Sequence, residues 1–217
     1  MKIGIILGSI REERTGKSVA EWVAQQARER QDATYELVDL KSFDIPLLTS
    51  ATVPGAANKQ YEDEATTAWS KAVDACDAFI FVTPEYNRSV PGAFKNAVDS
   101  LGAEWVAKPI AYVGYSFSGG IRAVEAWRLV MANFSMTQLR SQLVQQRLPV
   151  FQRAALPAGP GAHAGLKRAA AIIGVHHRSV LARDGAADPD LPAQRLPVHH
   201  EGGLAGVQAV PRGRQPL

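Results

Sequence analysis

Three short apolar runs constrain the fold of this chain more than any other feature. Lys2–Leu7 (KIGIIL), Ala78–Thr83 (AFIFVT) and Pro109–Tyr115 (PIAYVGY) are apolar at nearly every position rather than at every second one. A strand covered on both faces reads this way, whereas a strand with one wet face alternates. Between the runs, apolar residues recur at spacings of three and four. Val19, Trp22, Val23 and Ala27 form one such set, with Glu21, Gln25, Arg28 and Glu29 on the opposite side. They predict an amphipathic helix over about residues 17–30. A second helix is expected over Asn58–Asp74, and a third after Pro91, which suits a first-turn position. A fourth is expected where Ile121, Val124, Trp127, Val130, Met131 and Phe134 repeat. Tyr35–Leu40 reads as a further strand and Gln138–Val144 as a fifth. Phe43–Gly55, with Pro46 and Pro54, reads as loop. Alternating strands and helices predict an α/β fold with a parallel sheet, helices on both faces and right-handed crossovers.

The pattern stops near residue 146. All four Trp, all five Tyr and six of the seven Phe precede residue 147, whereas all five His follow it. Residues 1–146 hold 15 basic and 17 acidic side chains, against 9 and 4 in residues 147–217. In that second part 39 of 71 residues are Ala, Gly, Pro or Arg, and Pro and Gly at this density cut the chain into short pieces. Only Leu166–Leu181 reads as helical there. The chain therefore divides into a domain over 1–146 and an atypical tail over 147–217. The expected origin of the tail is out-of-frame translation of a GC-rich gene. Reading the coding DNA in the other two frames beyond that codon tests it. His163, His176, His177, His199 and His200 have no carboxylate or Cys at a ligand spacing, so no metal site is expected. The basic excess lacks interleaved aromatics, so no nucleic-acid partner is expected either. Cys76, the one cysteine, excludes an internal disulfide and reads as a small buried residue before a strand. No run approaches the ~20 apolar residues of a membrane span, and no secretory signal opens the chain. The expected location is the cytoplasm.

In open α/β sheets ligands bind beyond the carboxyl ends of strands, at the switch point of the strand order. Three segments follow the apolar runs. Gly8–Ser18 (GSIREERTGKS) offers Ser9, Thr15 and Ser18 hydroxyls, the cations Arg11, Arg14 and Lys17, Gly16 and the free amides of a helix start. That combination suits a phosphate. A nucleoside-triphosphate loop would need glycine five positions before Gly16, and Arg11 stands there. Pro84–Asp99 (PEYNRSVPGAFKNAVD) offers the flat ring of Tyr86 and donors from Asn87, Arg88 and Ser89. Gly114–Gly120 (GYSFSGG) ends in two glycines that allow positive φ and close backbone approach.

Together these segments resemble the NADPH-dependent FMN reductase family of flavodoxin-like proteins, which includes soluble quinone, chromate and azo-dye reductases. The pattern PEYN-x-S-x-PG-x-x-KN-x-x-D, from Pro84 to Asp99, is its most specific part, and GSIR and the glycine-rich turn are the others. The resemblance covers about residues 2–144 and implies a doubly wound five-stranded sheet in the order 2-1-3-4-5. It implies that Ser9, Arg11, Thr15, Gly16, Lys17 and Ser18 surround an FMN phosphate. Many members carry Asn near the position of Lys17, which here serves as a point charge. Pro84, Glu85, Tyr86, Asn87 and Ser89 would line the isoalloxazine ring. Gly114, Tyr115, Ser116, Gly119 and Gly120 would lie over its other polar edge.

The implied function is transfer of a hydride from NADPH to FMN, then to a flavin, quinone or similar acceptor in ping-pong order. No side chain would act as a catalyst, in keeping with the absence of His from residues 1–146. Arg88 is the candidate clamp for the NADPH phosphate. A homodimer or homotetramer is implied, with Trp105 and Trp127 either at its interface or in the core. A flavodoxin-type electron carrier is the alternative. Carriers of that kind are usually strongly acidic, and residues 1–146 sum to only −2. A flavin-free regulatory domain would purify colourless.

Overall fold

The computed structural model describes residues 1–146 of the 217. The tail over 147–217, its expected helix and its five histidines lie outside the described residues. The elements are β1 (Lys2–Leu7), α1 (Gly16–Arg28), β2 (Thr34–Asp39), α2 (Glu64–Asp74), β3 (Ala78–Pro84), α3 (Gly92–Asp99), β4 (Pro109–Ser116), α4 (Ile121–Ala132), β5 (Thr137–Gln138) and β6 (Leu143–Gln146). Every strand pairing is parallel. The order is β2-β1-β3-β4, with β5 and β6 both on the outer edge of β4. This is the flavodoxin-like doubly wound sheet, and the switch point lies between β1 and β3.

The fifth strand is broken. Ile110 pairs with Gln138 and Val113 with Leu143, so β4 advances three residues while its partner advances five. The two surplus residues bulge out around Leu139–Gln142, which is tolerated at a sheet edge. β2 is the other edge, and Leu37 there is partly exposed.

Alternate side chains point to opposite faces of a strand. Ile3, Ile5, Leu7, Ile80, Val82 and Val113 meet Val19, Ala20, Val23 and Ala27 of α1. Ile6, Phe79, Phe81, Ile110 and Tyr112 face the other way, onto α2, α3 and α4. There Phe81 is the centre of an aromatic cluster, with ring centroids 4.6 Å from Phe94, 5.3 Å from Trp127 and 5.9 Å from Trp105. Trp105 and Trp127 are both fully buried in this cluster, which assigns them to the core rather than to an interface. Their ring N–H groups donate to Val98 O at 3.1 Å and Thr83 Oγ1 at 3.0 Å, so neither carries an unmet donor.

The second helix begins at Glu64, six residues later than the sequence suggests. Asn58 and Lys59 have φ of 51° and 60°, and Asp63 accepts the Thr66 N–H at 2.7 Å as N-cap. A carboxylate three residues before a threonine was the available start signal, and the helix-compatible composition of residues 58–62 ahead of it obscured it. At the other end of α2, Lys108 donates to Val73 O and Asp74 O, closing two carbonyls that a helix end leaves open. Cys76 is buried, and burial pushes its thiol pKa up. Among the described residues no helix is long and apolar enough to cross a membrane.

Candidate functional site

The loop after β1 is shaped by close packing. The Gly8 N–H donates to Val82 O at 3.0 Å, and a Cβ on Gly8 would lie 1.9 Å from the Phe94 ring. The chain can therefore leave the sheet only with glycine here. Ser9 is buried, and its Oγ lies 3.0 Å from Tyr86 Oη. The Arg11 guanidinium stands over the Tyr86 ring, 6.0 Å from its centroid. Arg14 turns away and pairs with Asp39 at the end of β2, leaving its Nε buried with no hydrogen-bond partner. Lys41 pairs with Glu12. Arg11 and Lys17 thus remain the cations of this loop with no ion-pair partner among the described residues. Helix α1 starts with no side-chain cap from Thr15 and no acidic residue in its first turn. Its positive end is unneutralised, with Thr15, Lys17 and Ser18 exposed around it.

After β3 the chain makes a two-residue hairpin. Tyr86 and Ser89 exchange backbone hydrogen bonds of 3.0 Å in both directions. Asn87 and Arg88 both sit in the left-handed region, at φ of 49° and 69°. This is the mirror-image turn that normally calls for Asn-Gly, and Arg88 occupies the glycine position under strain. The turn holds Asn87, Arg88 and Ser89 out into solvent. Pro84, buried at the end of β3, pairs with Tyr115 of β4.

After β4 the backbone folds back on itself. Ser116 Oγ accepts the Gly120 N–H at 2.8 Å and the Ser118 N–H at 3.1 Å. Gly119 and Gly120 have φ of 88° and 78°. A Cβ on Gly120 would lie 2.5 Å from Tyr115 N, and one on Gly114 would lie 2.8 Å from Gly120 O. Both positions therefore require glycine. Phe117 projects from this turn almost wholly exposed.

The three loops meet at the Tyr115 phenol. A Cβ on Gly16 would lie 2.1 Å from Tyr115 Oη, so this hydroxyl is seated against the first residue of α1. It is buried and makes no hydrogen bond of acceptable geometry. Ser9 lies close enough to lower its pKa against the effect of burial, while Ser9 Oγ itself pairs with Tyr86 Oη at 3.0 Å. Burial pushes the Tyr115 pKa well above the ordinary phenol value, with the Tyr86 phenol adding to the effect. Gly16 is thus the contact on which Tyr115 rests, a packing role that its place in a phosphate-like loop did not disclose.

Three features of this region were missed in the sequence. Asn96, in the second half of the PEYN pattern, donates through Nδ2 to Pro46 O at 2.8 Å and accepts the Leu48 N–H at 2.9 Å. It pins the long loop after β2. Lys95 and Asp99, one helical turn apart, form an ion pair at 2.6 Å. The first half of the pattern faces the loop cluster and the second half secures its surroundings. The third missed feature is the Glu85 carboxylate, which lies at the start of α4 and accepts the Arg122 N–H at 3.1 Å.

A family model described as NADPH-dependent FMN reductase matches residues 1–147. The chain belongs to this family. It is similar to the NAD(P)H-dependent FMN reductase ntnL of a Nectria species, with 39% identity over 126 residues, 56% of this chain and 63% of the relative. It is similar to the NAD(P)H-dependent FMN reductase LOT6 of Saccharomyces cerevisiae, with 32% identity over 159 residues, 69% of this chain and 82% of the relative. A quinone reductase of Pseudomonas putida matches with 33% identity over 123 residues, 52% of this chain and 59% of the relative. The match therefore spans about three fifths of the length of the Nectria and Pseudomonas relatives. Among solved structures, the flavoenzyme NAD(P)H:(acceptor) oxidoreductase FerB from Paracoccus denitrificans superposes with a TM-score of 0.63. It is 19% identical, over 82% of this chain and 97% of that one. At that identity the likeness is one of fold. The FMN reductase match ends beside the compositional break at residue 146.

Proposed function

We propose that this FMN reductase family member is an NAD(P)H oxidoreductase that holds FMN and reduces a flavin, quinone or similar acceptor. The observation that carries this reading is the meeting of three strand-end loops around the buried, unpartnered Tyr115 hydroxyl, beside the uncapped start of α1. An orphaned buried donor is expensive, and a ligand oxygen at this spot would satisfy it. The donor set suits FMN. Ser9, Arg11, Thr15, Gly16, Lys17 and Ser18 would hold the phosphate, whose charge matches the helix dipole and the two unpaired cations. Pro84, Glu85, Tyr86, Asn87 and Ser89 would flank the ring on one side, and Gly114, Tyr115, Ser116, Gly119 and Gly120 on the other. FMN, when bound, supplies the hydride acceptance and return that no side chain of these loops provides.

The chain's own contribution is placement. The glycine turn presents backbone N–H groups where no side chain intervenes, and donors fixed in advance stabilise developing negative charge. Arg88, held outward by its strained turn and without an acidic partner among the described residues, would clamp the NADPH phosphate. The oxidised nicotinamide would leave before the acceptor enters, a ping-pong order. Assembly into a homodimer or homotetramer belongs to the same reading. With Trp105 and Trp127 inside the core, exposed Leu47, Val53 and Phe117 are apolar surface available to it.

The deciding experiment is the absorption spectrum of the purified full-length chain before and after NADPH, followed by stopped flow. A flavin spectrum that bleaches on mixing supports the reductase. A flavin spectrum that NADPH leaves unchanged indicates a carrier, and a colourless chain that takes up no FMN refutes both. Arg88→Asn removes the cation with a side chain that tolerates positive φ. It is expected to raise the KM for NADPH about tenfold, the effect of one charge-assisted hydrogen bond. An unchanged KM removes Arg88 from the site. Light scattering at several concentrations tests the assembly, and a monomer throughout refutes it.

A further inference from the structure

Helix α4 begins at Ile121, and Gly120, its N-cap residue, has no side chain with which to cap it. Ser116 Oγ takes the N–H groups of Ser118 and Gly120. The Arg122 N–H, in the first turn of the helix, is answered from a distant part of the chain. Glu85, the first residue after β3, accepts the Arg122 backbone N–H at 3.1 Å. The same carboxylate accepts from Arg122 Nη1 at 3.1 Å and from Ser118 Oγ at 3.3 Å. Its side chain is only 6% exposed, whereas that of Arg122 is 43% exposed. The backbone repeats the connection, because the Glu85 N–H donates to Tyr115 O at 3.2 Å.

These contacts give the Glu85 carboxylate a task of its own, beside the ring-flanking place proposed for the residue. Its charge is met by a guanidinium and by the positive end of a helix. It bridges the foot of the Tyr86–Ser89 hairpin and the turn over Ser116–Gly120. Those are the two loops that the reductase reading gives to the flavin ring. Neither loop is held to the other by apolar burial at this point, since Phe117 and Ile121 beside it point outward.

We propose that Glu85 is a positioning residue that caps α4 from the β3 loop and so fixes the distance between the two ring-flanking loops before cofactor arrives. The proposal rests on the reductase reading for its second half and on the cap alone for its first. Glu85 sets the backbone amides of the glycine turn, which carry the interaction with the ligand. Arg122 holds Glu85 in turn.

The test uses the FMN-free full-length chain and reads amide hydrogen exchange in peptides spanning residues 116–122. Glu85→Ala is expected to speed exchange there about tenfold, within the range of a lost helix cap. Peptides from β1 and β3 should exchange as before. FMN binding, followed by fluorescence quenching, is expected to weaken about tenfold. The double variant Glu85→Gln, Arg122→Met keeps an acceptor for the same backbone N–H and removes the facing charge. It is expected to recover most of the protection and most of the affinity. Unchanged exchange over 116–122 in Glu85→Ala overturns the cap, whether or not flavin binds. Faster exchange with undiminished FMN affinity overturns the positioning role. A wild-type chain that binds no FMN, with the exchange effect intact, overturns the reductase reading and the positioning role with it while leaving the cap standing.

Discussion

Tyr115 and Gly16 allow stability and ligand binding to be set against each other. The Tyr115 hydroxyl is buried and unpartnered, and leaving such a group unsatisfied costs about 1–3 kcal/mol. Tyr115→Phe deletes that one atom and leaves the ring in place. It should stabilise the FMN-free chain by about 1 kcal/mol once the small void is counted. For a domain of this size that is a rise of about 2–4 °C in Tm. Gly16→Ala acts in the opposite direction. Its Cβ would meet Tyr115 Oη at 2.1 Å, Tyr115 Cζ at 2.9 Å and Leu7 Cδ1 at 3.0 Å. The ring stands on β4 and cannot retreat, so a cost of about 1–3 kcal/mol is expected, against a helix-propensity gain below ~1 kcal/mol. In the double variant the 2.1 Å obstacle is gone while the other two remain. The two changes should therefore couple by about 1 kcal/mol. Urea unfolding of the four FMN-free proteins gives the cycle, and FMN titration of the same four gives the affinities. Tyr115→Phe is expected to bind FMN about tenfold more weakly although it folds more stably. Destabilisation by Tyr115→Phe would refute the orphaned-donor reasoning, and a coupling below ~0.5 kcal/mol would refute the contact.

Glu104, fully buried, accepts from Tyr61 Oη at 2.8 Å, Ser70 Oγ at 2.6 Å and the Gly102 N–H at 3.0 Å. Glu104→Ala strands all three donors and should cost about 3 kcal/mol in urea unfolding, with Glu104→Gln costing less; equal losses would show that the network contributes nothing beyond packing. Tyr61, Tyr112 and Tyr115 all have raised phenol pKa values, chiefly through burial. A raised folded-state pKa gives stability that is complete below the unfolded value of about 10 and is lost as pH climbs beyond it. Alkaline titration should therefore show tyrosinate absorbance from these residues appearing together with unfolding, and their ionisation in a chain with native circular dichroism would contradict this. Asn96→Ala frees Pro46 O and the Leu48 N–H, so limited proteolysis should cut between Pro46 and Val53 sooner, at nearly unchanged global stability.

The sheet was legible because burial on both faces leaves a mark at every residue of a strand. β1 and β3 are apolar at nearly every position, and their bounds agree with the reading to within one residue. The fifth strand was harder for a physical reason. An edge strand answers to one neighbour only, and the two extra residues around Leu139–Gln142 leave no pattern that separates a bulge from a continuous run. The start of α2 failed differently. Residues 58–63 have helix-compatible composition, and only the positive φ at Asn58 and Lys59 and the Asp63 cap exclude them.

The candidate site was legible by residue type and not by direction. Sequence places Arg11, Arg14 and Lys17 in one loop as equal cations, yet Arg14 is drawn to Asp39, a residue in another element that only the parallel register of β1 and β2 brings alongside. Glu85 sits among ring-lining candidates, yet its carboxylate goes to α4 because Gly120 cannot cap that helix itself. Gly16 stands inside a phosphate-like loop, and the pressure that keeps it glycine comes from Tyr115 on another strand. In each case the chemistry was written locally and the partner was supplied by topology. A loop motif therefore identifies which groups a site can draw on. The order of the strands behind it decides which of those groups are free to meet a ligand, and here that leaves Arg11, Lys17 and Arg88 as the cations of the three loops without an acidic partner among the described residues.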